Sequence, residues 1–384
     1  MKRKVLVLAG YYFPGVMGGG PIQSLKNLVD NLSDQLDFYI VADDRDLGDQ
    51  QPYKDIKTQQ WVPVGKAQVF YTKTGDLTFR SLTKLLNNLD YDIIYLNSFF
   101  SYKISMAIML LNKLKRISPK PILLAPRGQF SPGALGLKPR AKQLYITLAK
   151  ALGLYKGITW HATAVTEHQD IEALFGGKVK IKVVSNLTAD YRGLTYAKEL
   201  VKKPGALKIV FISRIHPKKN LKQALASLQG LDGQVEFNIY GPLEDKKYWA
   251  ECEQVIKSLP QKVDVEYSGL VAHEEIMGVF LQNHVFLFPT LGENFGHVIS
   301  EALIGGCPVI LSDQTPWRGL EKLNVGWDIA LSDPDKFRQV LQQCLDWSQD
   351  DYQALSKKAF DYGKKHSNRP EDLRKAYELF GIRS

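Results

Sequence analysis

Two glutamates eight positions apart carry the clearest chemical signal in this chain. Glu293 and Glu301 bound the stretch ENFGHVISE, which lies between two apolar runs, HVFLFPT and PVILS. This pattern predicts a buried strand, a loop that carries Glu293, and a helix that carries Glu301 about two turns further on. Gly296 leaves the backbone accessible where that helix begins. Free N–H groups and the positive end of the helix dipole favour a phosphate there.

Carboxylates beside such a phosphate site have a plain use, because they accept hydrogen bonds from hydroxyl groups. A ligand that combines phosphate with many hydroxyls is a sugar nucleotide. The alternative is that Glu293 only caps the helix and Glu301 only lies on its surface. The strand, the glycine and the helix around the two glutamates favour the ligand site.

The stretch resembles the E-x7-E signature of retaining glycosyltransferases of family 4, which have the two-Rossmann-domain GT-B architecture. A second stretch, FISRIHPKKN, closes a predicted strand with Arg214 and places Lys219 five residues later, at a helix start. It is similar to the family's arginine–lysine pair that holds the donor diphosphate. The two motifs in this order imply a glycosyltransferase that uses a nucleotide sugar, and they leave the sugar open.

The resemblance also implies roles for single residues. Glu293 would hold hydroxyls of the donor sugar and Glu301 those of the ribose, while Arg214 and Lys219 would neutralise the leaving diphosphate. The segment around Leu270 would contact the nucleobase through its backbone, so that UDP and GDP donors both stay open. The other residues assigned to the donor are Gly19, Gly20, Asn294, Phe295, Gly296 and His297.

The implied reaction transfers a sugar to a hydroxyl with retention of the anomeric configuration. Departure and attack on one face, with the diphosphate taking the acceptor proton, would require no covalent nucleophile. No D-x-D motif stands where a divalent metal is expected, so we predict no metal and no other cofactor. Two alternatives share the architecture: a non-hydrolysing nucleotide-sugar 2-epimerase and a catalytically silent nucleotide-sugar-binding scaffold.

A glycine-rich loop follows the first predicted strand. Gly18, Gly19 and Gly20 precede a helix with Pro21 in its first turn, so its N-terminal amides are available. The spacing is not G-x-G-x-x-G, which counts against a dehydrogenase. The resemblance implies that this loop approaches the donor phosphates and the acceptor, and the alternative is a plain turn.

Several polar residues follow other predicted strands of the N-terminal half. Many family members have a histidine near Asn97 and Ser98, and this chain has none there, so these two are candidates to supply the hydrogen bonds instead. Arg127 could bind a phosphate or the acceptor, or it could be a surface arginine in a salt bridge. His161 is a further phosphate or acceptor candidate, and the alternation around it favours a core histidine. Thr166 is predicted to cap the next helix.

Composition bounds the class of protein. With 384 residues, of which 45% are apolar and 23% charged, the chain suits two globular domains. No apolar run approaches the ~18–20 residues of a membrane span, and the start lacks a cleavage site typical of a signal peptide. Cys252, Cys307 and Cys344 are scattered, which argues against a disulfide framework or a zinc site. These features predict a cytoplasmic protein.

The positive charge is unevenly distributed. The net charge is +10, and no acidic residue occurs between Asp92 and Glu167. The stretch LKPRAKQLYITLAKALGLYKG inside this segment mixes cations with large apolar residues, as an interfacial helix does. We therefore expect a saccharide acceptor on an anionic or pyrophosphate-linked lipid, met by a peripheral enzyme at the inner face of the membrane. The alternative is an ordinary covering helix with a solvated basic face. No stacking motif for nucleic acid is present.

Strand-like and helix-like runs alternate along both halves of the chain, which predicts parallel sheets covered on both faces. We predict an N-terminal Rossmann-like domain over 1–188 that binds the acceptor, and a second over 189–366 that binds the donor. The polar stretch 186–206 is the expected linker. In the GT-B architecture the domains face each other across a cleft, and the last helix, about 367–384, returns to the N-terminal domain. The setting expected is assembly of a bacterial surface polysaccharide.

Overall fold

A computed structural model describes residues 2–73, 75–136, 139–191 and 193–382. The chain forms two compact units. The first contains Met1–Ala189 and Asn368–Ser384, and the second contains Asp190–Ser367. Both are α/β units built on mainly parallel sheets, as predicted from the alternating runs. Within the part of the chain that the structure describes, no helix is long and apolar enough to span a bilayer.

The N-terminal unit is built on an eight-stranded sheet of order β3-β4-β2-β1-β5-β6-β7-β8. Its strands are β1 (Arg3–Leu8), β2 (Leu36–Asp43), β3 (Trp61–Val64), β4 (Ala67–Thr72), β5 (Ile93–Leu96), β6 (Ile122–Leu124), β7 (Thr159–Ala162) and β8 (Lys180–Val183). Its helices are α1 (Gly20–Leu32), α2 (Phe79–Asn88), α3 (Ala107–Lys113), α4 (Pro132–Leu135), α5 (Pro139–Ala151) and α6 (Val165–Phe175), with a π-helical turn at Tyr102–Met106.

The central strand β1 shows why the sheet is covered on both faces. Val5 and Val7 belong to one buried apolar cluster and Leu6 and Leu8 to another. Successive side chains of a strand point to opposite faces, so a continuous apolar run requires helices on both. Sequence analysis missed the hairpin β3–β4, because Pro63 and Gly65 interrupt its pattern. Strand β3 lies at the sheet edge and pairs antiparallel with β4, where a proline is tolerated.

The last helix of the chain, α14 (Pro370–Leu379), belongs to the N-terminal unit, as predicted. Lys182 Nζ donates to the carbonyl oxygen of Glu378 at 2.5 Å. The ring of Phe380 lies edge-on to Tyr95 and to Phe38, at centroid distances of 5.5 and 6.1 Å. These contacts fix the chain terminus on the N-terminal sheet.

The C-terminal unit is built on a six-stranded parallel sheet of order β11-β10-β9-β12-β13-β14. Its strands are β9 (Ala206–Ile212), β10 (Gln234–Tyr240), β11 (Val263–Gly269), β12 (Val285–Phe288), β13 (Val309–Ser312) and β14 (Gly326–Ile329). Its helices are α7 (Leu221–Ala226), α8 (Lys246–Lys257), α9 (Ile276–Leu281), α10 (His297–Ile304), α11 (Leu320–Leu323), α12 (Pro334–Asp346) and α13 (Gln349–His366), with 3-10 turns at Pro217–Lys219 and His273–Glu275. All three cysteines are buried free thiols in this unit.

The predicted linker packs against the C-terminal unit. Its described residues from 190 to 205 form no helix or strand, yet Lys198 and Lys202 are buried in the C-terminal unit. The prediction of a polar connection missed this, because lysine normally indicates solvent. The segment is therefore fixed to the C-terminal unit at Lys198 and Lys202.

Candidate functional site

Three residues predicted to bind the donor lie at one edge of the sheet of the C-terminal unit. Arg214 follows β9, Leu270 follows β11 and Glu293 follows β12. Because these strands are parallel, their carboxyl ends share one edge, where ligands of open α/β sheets bind. Leu270 is exposed there.

Lys219 and Glu293 form an ion pair at this edge, although 74 residues separate them. Their side chains are only 12% and 16% exposed, and Lys219 Nζ also lies 5.5 Å from the centroid of the Phe288 ring. The backbone holds the pair in place, since Leu291 N donates to Lys218 O at 2.8 Å and Glu293 N to Gln314 O at 3.0 Å. The two sequence motifs therefore meet in one partly desolvated cluster.

Arg214 has a partner that sequence analysis did not find. Its Nη1 donates to Glu244 Oε2 at 2.6 Å. Two loops are joined beside this pair: Ile215 N donates to Pro242 O at 2.9 Å, and Asp245 N donates to Ile215 O at 3.0 Å. Gly241 allows this approach, because a Cβ there would collide with the carbonyl of Ser213. The signal available in the sequence was an acid just after β10.

Helix α10 begins at this edge without a side-chain cap. Its N-cap is Gly296, with φ 75°, a conformation that glycine adopts readily. A Cβ on Gly296 would lie 2.7 Å from Ile299 Cδ1. The preceding carbonyl of Phe295 accepts a 2.8 Å hydrogen bond from Trp317 Nε1, and the Phe295 ring lies 4.7 Å from that of His297. The first turn, with Asn294 just before it, thus offers the predicted anion site.

Glu301 lies inside α10 and is 7% exposed. Its Oε1 lies 4.0 Å from Nδ1 of His273, which carries a charge only when it is protonated. Burial raises the pKa of Glu301 to about 7. Ligand hydroxyls that donate hydrogen bonds to this carboxylate would stabilise its charged form. The alternative of a solvent-facing helix acid is wrong.

In the N-terminal unit, the glycine loop is held by a carboxylate that sequence analysis did not single out. Asp46 Oδ2 accepts hydrogen bonds from the backbone N–H groups of Val16 and Met17, at 2.5 and 2.8 Å. Gly19 is the N-cap of α1 with φ 63°, and Gly20 is the first residue of the helix. Asp46 therefore fixes the approach to the loop that was predicted to reach the donor phosphates.

Arg127 donates three hydrogen bonds within its own unit. Its Nε donates to Asn97 Oδ1 at 2.6 Å and its Nη2 to the hydroxyl of Tyr95 at 2.9 Å, while Nη1 bonds Asn186. Ser98 Oγ exchanges hydrogen bonds with Gln129 at 3.0–3.3 Å. Asn97 and Arg127 thus stabilise strand ends. The partners of Arg127 are neutral side chains rather than an acid, and its binding of phosphate or the acceptor stays a prediction.

His161 is a core histidine. It is buried, with Nδ1 2.9 Å from the Tyr95 hydroxyl and Nε2 2.8 Å from Val184 O. Burial lowers its pKa to about 3, and the nearby Arg127 adds to this. Both ring nitrogens have partners, so the structure corrects its inclusion among phosphate and acceptor candidates.

The predicted cap at Thr166 is wrong. The N-cap of α6 is Ala164, which places Thr166 inside the first turn. The buried acid Glu167 instead connects this turn to its neighbours. Its carboxylate accepts hydrogen bonds from Gly128 N at 2.5 Å and from the backbone N–H and hydroxyl of Thr163, both at 2.7 Å. A carboxylate in the first turn of a helix is favoured by the dipole, which was the available signal.

Two mainly parallel α/β units are the architecture of the GT-B fold, and cations, carboxylates and the start of α10 lie at the sheet edge of the second unit. Residues 195–362 match the family model "Glycosyl transferases group 1", so this part of the chain carries a domain of that family. Among the described residues, no group of three or more His, Cys, Asp or Glu is placed to hold a metal ion.

Solved structures show the same fold. The chain is similar to HepE from Anabaena in complex with UDP-glucose, with 16% identity, 98% of this chain and 99% of that chain covered, and a TM-score of 0.69. It is also similar to WaaG, a glycosyltransferase involved in lipopolysaccharide biosynthesis, with 12% identity, 98% and 100% coverage and a TM-score of 0.69. At these identities the likeness establishes the fold.

Two curated proteins match in sequence. An uncharacterised 41.2 kDa protein in the cps region of Klebsiella pneumoniae is 23% identical over 307 residues, which are 77% of this chain and 78% of that protein. The gpi3 subunit of the phosphatidylinositol N-acetylglucosaminyltransferase of Schizosaccharomyces pombe is 33% identical over 107 residues, which are 27% of this chain and 23% of that protein.

Proposed function

We propose that this protein is a retaining, metal-independent glycosyltransferase that uses a UDP-sugar and acts on a lipid-linked saccharide in bacterial surface polysaccharide assembly. The observation that carries the donor site is the meeting of Arg214, Lys219 and Glu293 with the uncapped start of α10. UDP is favoured by the similarity to HepE, whose structure contains UDP-glucose. The surface role is supported by the relative from a cps region.

In this proposal the leaving diphosphate lies between the two cations and the first turn of α10. Arg214 and Lys219, with the amides that follow Gly296, stabilise the charge that grows on it, as preorganised donors do. Glu293 accepts hydrogen bonds from the sugar and Glu301 from the ribose. The diphosphate takes the proton of the attacking hydroxyl on the same face, so no protein group forms a bond to the sugar.

A thermal-shift series with UDP, GDP and their sugar conjugates, all in EDTA, tests the donor assignment. We expect UDP at 100 times its dissociation constant to stabilise the protein by about 2.7 kcal/mol. A smaller effect of GDP would assign the base. If none of the nucleotides raises the melting temperature, the transferase site proposed here is wrong; a shift that requires Mg²⁺ would contradict metal independence.

The acceptor is proposed to reside in an anionic bilayer that meets helix α5. Leu144, Leu148 and Leu152 follow one another at four-residue intervals and are 62%, 51% and 51% exposed. On the other side of the helix, Ile146 and Ala149 are buried. Lys113 Nζ bonds the carbonyl of Leu152 at 2.5 Å, which adds the basic end of α3 to this surface. The exposed cations of the acid-free segment include Lys113, Lys115, Arg116, Arg140, Lys150 and Lys156; Lys138, in the same segment, lies outside the described residues.

Exposed leucines in a segment with many exposed cations are suited to contact the surface of an anionic bilayer. We expect the double variant Leu144→Ser/Leu148→Ser to lower binding to vesicles containing acidic lipid by roughly 30-fold, because each leucine contributes on the order of 1 kcal/mol when partly inserted. Vesicle sedimentation measures this. Leu323→Ser, at an exposed position of the C-terminal unit, is the control and keeps full binding.

Equal sedimentation of the wild type and the double variant would remove α5 from the interface. Wild-type binding that does not depend on acidic lipid would contradict the electrostatic part of the proposal.

A further inference from the structure

The segment that joins the two units carries a lysine whose ammonium group is buried. Lys198 Nζ donates to three carbonyl oxygens of the C-terminal unit: Phe280 at 2.9 Å, Asn283 at 2.6 Å and Gly306 at 3.1 Å. Phe280 belongs to α9, and Gly306 follows directly on the C-cap of α10. The C-terminal ends of helices carry partial negative charge and unpaired carbonyls. The lysine therefore satisfies two helix ends at once.

A second side chain of the same segment reaches the end of α10. The hydroxyl of Tyr196 donates to Ser356 Oγ at 3.0 Å, and Ser356 Oγ donates to Gly306 O at 2.5 Å. Gly306 has φ 59°, and a Cβ there would lie 2.9 Å from Ser356 Oγ and 3.1 Å from Tyr196 Cε2. Close packing of the joining segment and of α13 thus requires a glycine at position 306.

Helix α10 also begins at the proposed donor site and carries Glu301 in its middle. Its eight residues span about 12 Å, too short to bend appreciably. A shift at the C-terminal end is therefore passed to the first turn and to the carboxylate.

We propose that Lys198 is a positioning residue for the nucleotide: by fixing the end of α10, it sets where the first turn and Glu301 meet the donor. This inference rests on the proposed function of that site. Helix α10 would then connect the proposed donor site at its start with the joining segment at its end.

Lys202 is a matched control in the same segment. It is also buried, and its Nζ donates to the carbonyls of Lys203, Leu345 and Trp347, at 2.9, 2.9 and 3.2 Å. These groups lie in the segment and at the end of α12, which carries none of the proposed site residues. Both lysines thus have the same chemistry, and only Lys198 contacts α10.

The test compares Lys198→Met with Lys202→Met, since methionine keeps an unbranched apolar side chain and removes the charge. We expect both variants to melt at lower temperature. Titration calorimetry with UDP, scaled to the folded fraction, is expected to show about 3- to 10-fold weaker binding for Lys198→Met and a change below about twofold for Lys202→Met. Equal dissociation constants for wild type and Lys198→Met would overturn the inference, as would equal weakening in both variants.

Hydrogen exchange on the wild type decides the matter even when Lys198→Met does not fold. The amides of Gly306 and Cys307 bond the carbonyls of Leu303 and Ala302. Coupling along α10 requires that UDP slow their exchange, because linkage is reciprocal. No slowing, in a protein that binds UDP, would overturn the inference alone. A wild type that binds no UDP would overturn the proposed function as well.

Discussion

Replacing Lys219 with alanine is expected to lower the turnover of a UDP-sugar by roughly 100- to 1,000-fold, the usual effect of removing one preorganised donor from a developing negative charge. The folded structure is retained but loses stability, because Glu293 keeps its partly buried carboxylate and loses its ion pair with Lys219. That loss is about 1–3 kcal/mol. Steady-state kinetics and urea unfolding measure the two effects.

Lys222→Ala is the matched control for this prediction. It breaks the pair of Lys222 with Glu251, 3.1 Å apart and exposed on both sides, and exposed pairs contribute only about 0–1 kcal/mol. Turnover is expected to stay within about twofold of wild type. Glu293→Ala is expected to match Lys219→Ala in lost turnover while remaining folded. Normal activity of either site variant would contradict the assignment of this cluster.

Replacing Glu301 with glutamine is expected to stabilise the protein at pH 8 and weaken UDP binding. The folded-state pKa of about 7 lies above the ordinary value of 4.5, so the folded protein keeps a proton that the unfolded chain releases. The resulting stability is fully present below about pH 4.5 and is lost as the pH rises to about 7. At pH 8 the buried charge costs on the order of 3 kcal/mol, which glutamine avoids.

Melting curves at pH 5 and pH 8 measure this effect: the gap between Glu301→Gln and wild type is expected to widen at pH 8. Uridine distinguishes ribose binding by Glu301 from diphosphate binding by Lys219, because uridine has the ribose without the phosphates. Glu301→Gln is expected to weaken uridine and UDP alike by about tenfold, whereas Lys219→Ala weakens only UDP. Wild-type affinity for UDP is expected to rise as the pH passes about 7. An unchanged affinity in Glu301→Gln would separate this carboxylate from the ribose.

The sequence by itself determined the class of fold and the motifs of the donor site. Apolar runs of strand length that alternate with helical periods leave few solutions other than parallel sheets covered on both faces. A glycine and two carboxylates at a strand–loop–helix corner mark a ligand site because the local backbone already fixes their spacing. The glycosyltransferase family followed from two such local motifs.

What only the tertiary structure decided are the contacts between loops that lie far apart in the chain. The sequence does not identify the partners of Glu244, Asp46 and Lys198, because an isolated acid or lysine in a sequence is usually solvated. His161 could be interpreted from the sequence as a phosphate or acceptor ligand or as a core histidine, and its burial distinguishes the two. Burial is a property of the packed unit, and so are the raised pKa of Glu301 and the partners that a charged side chain finds there.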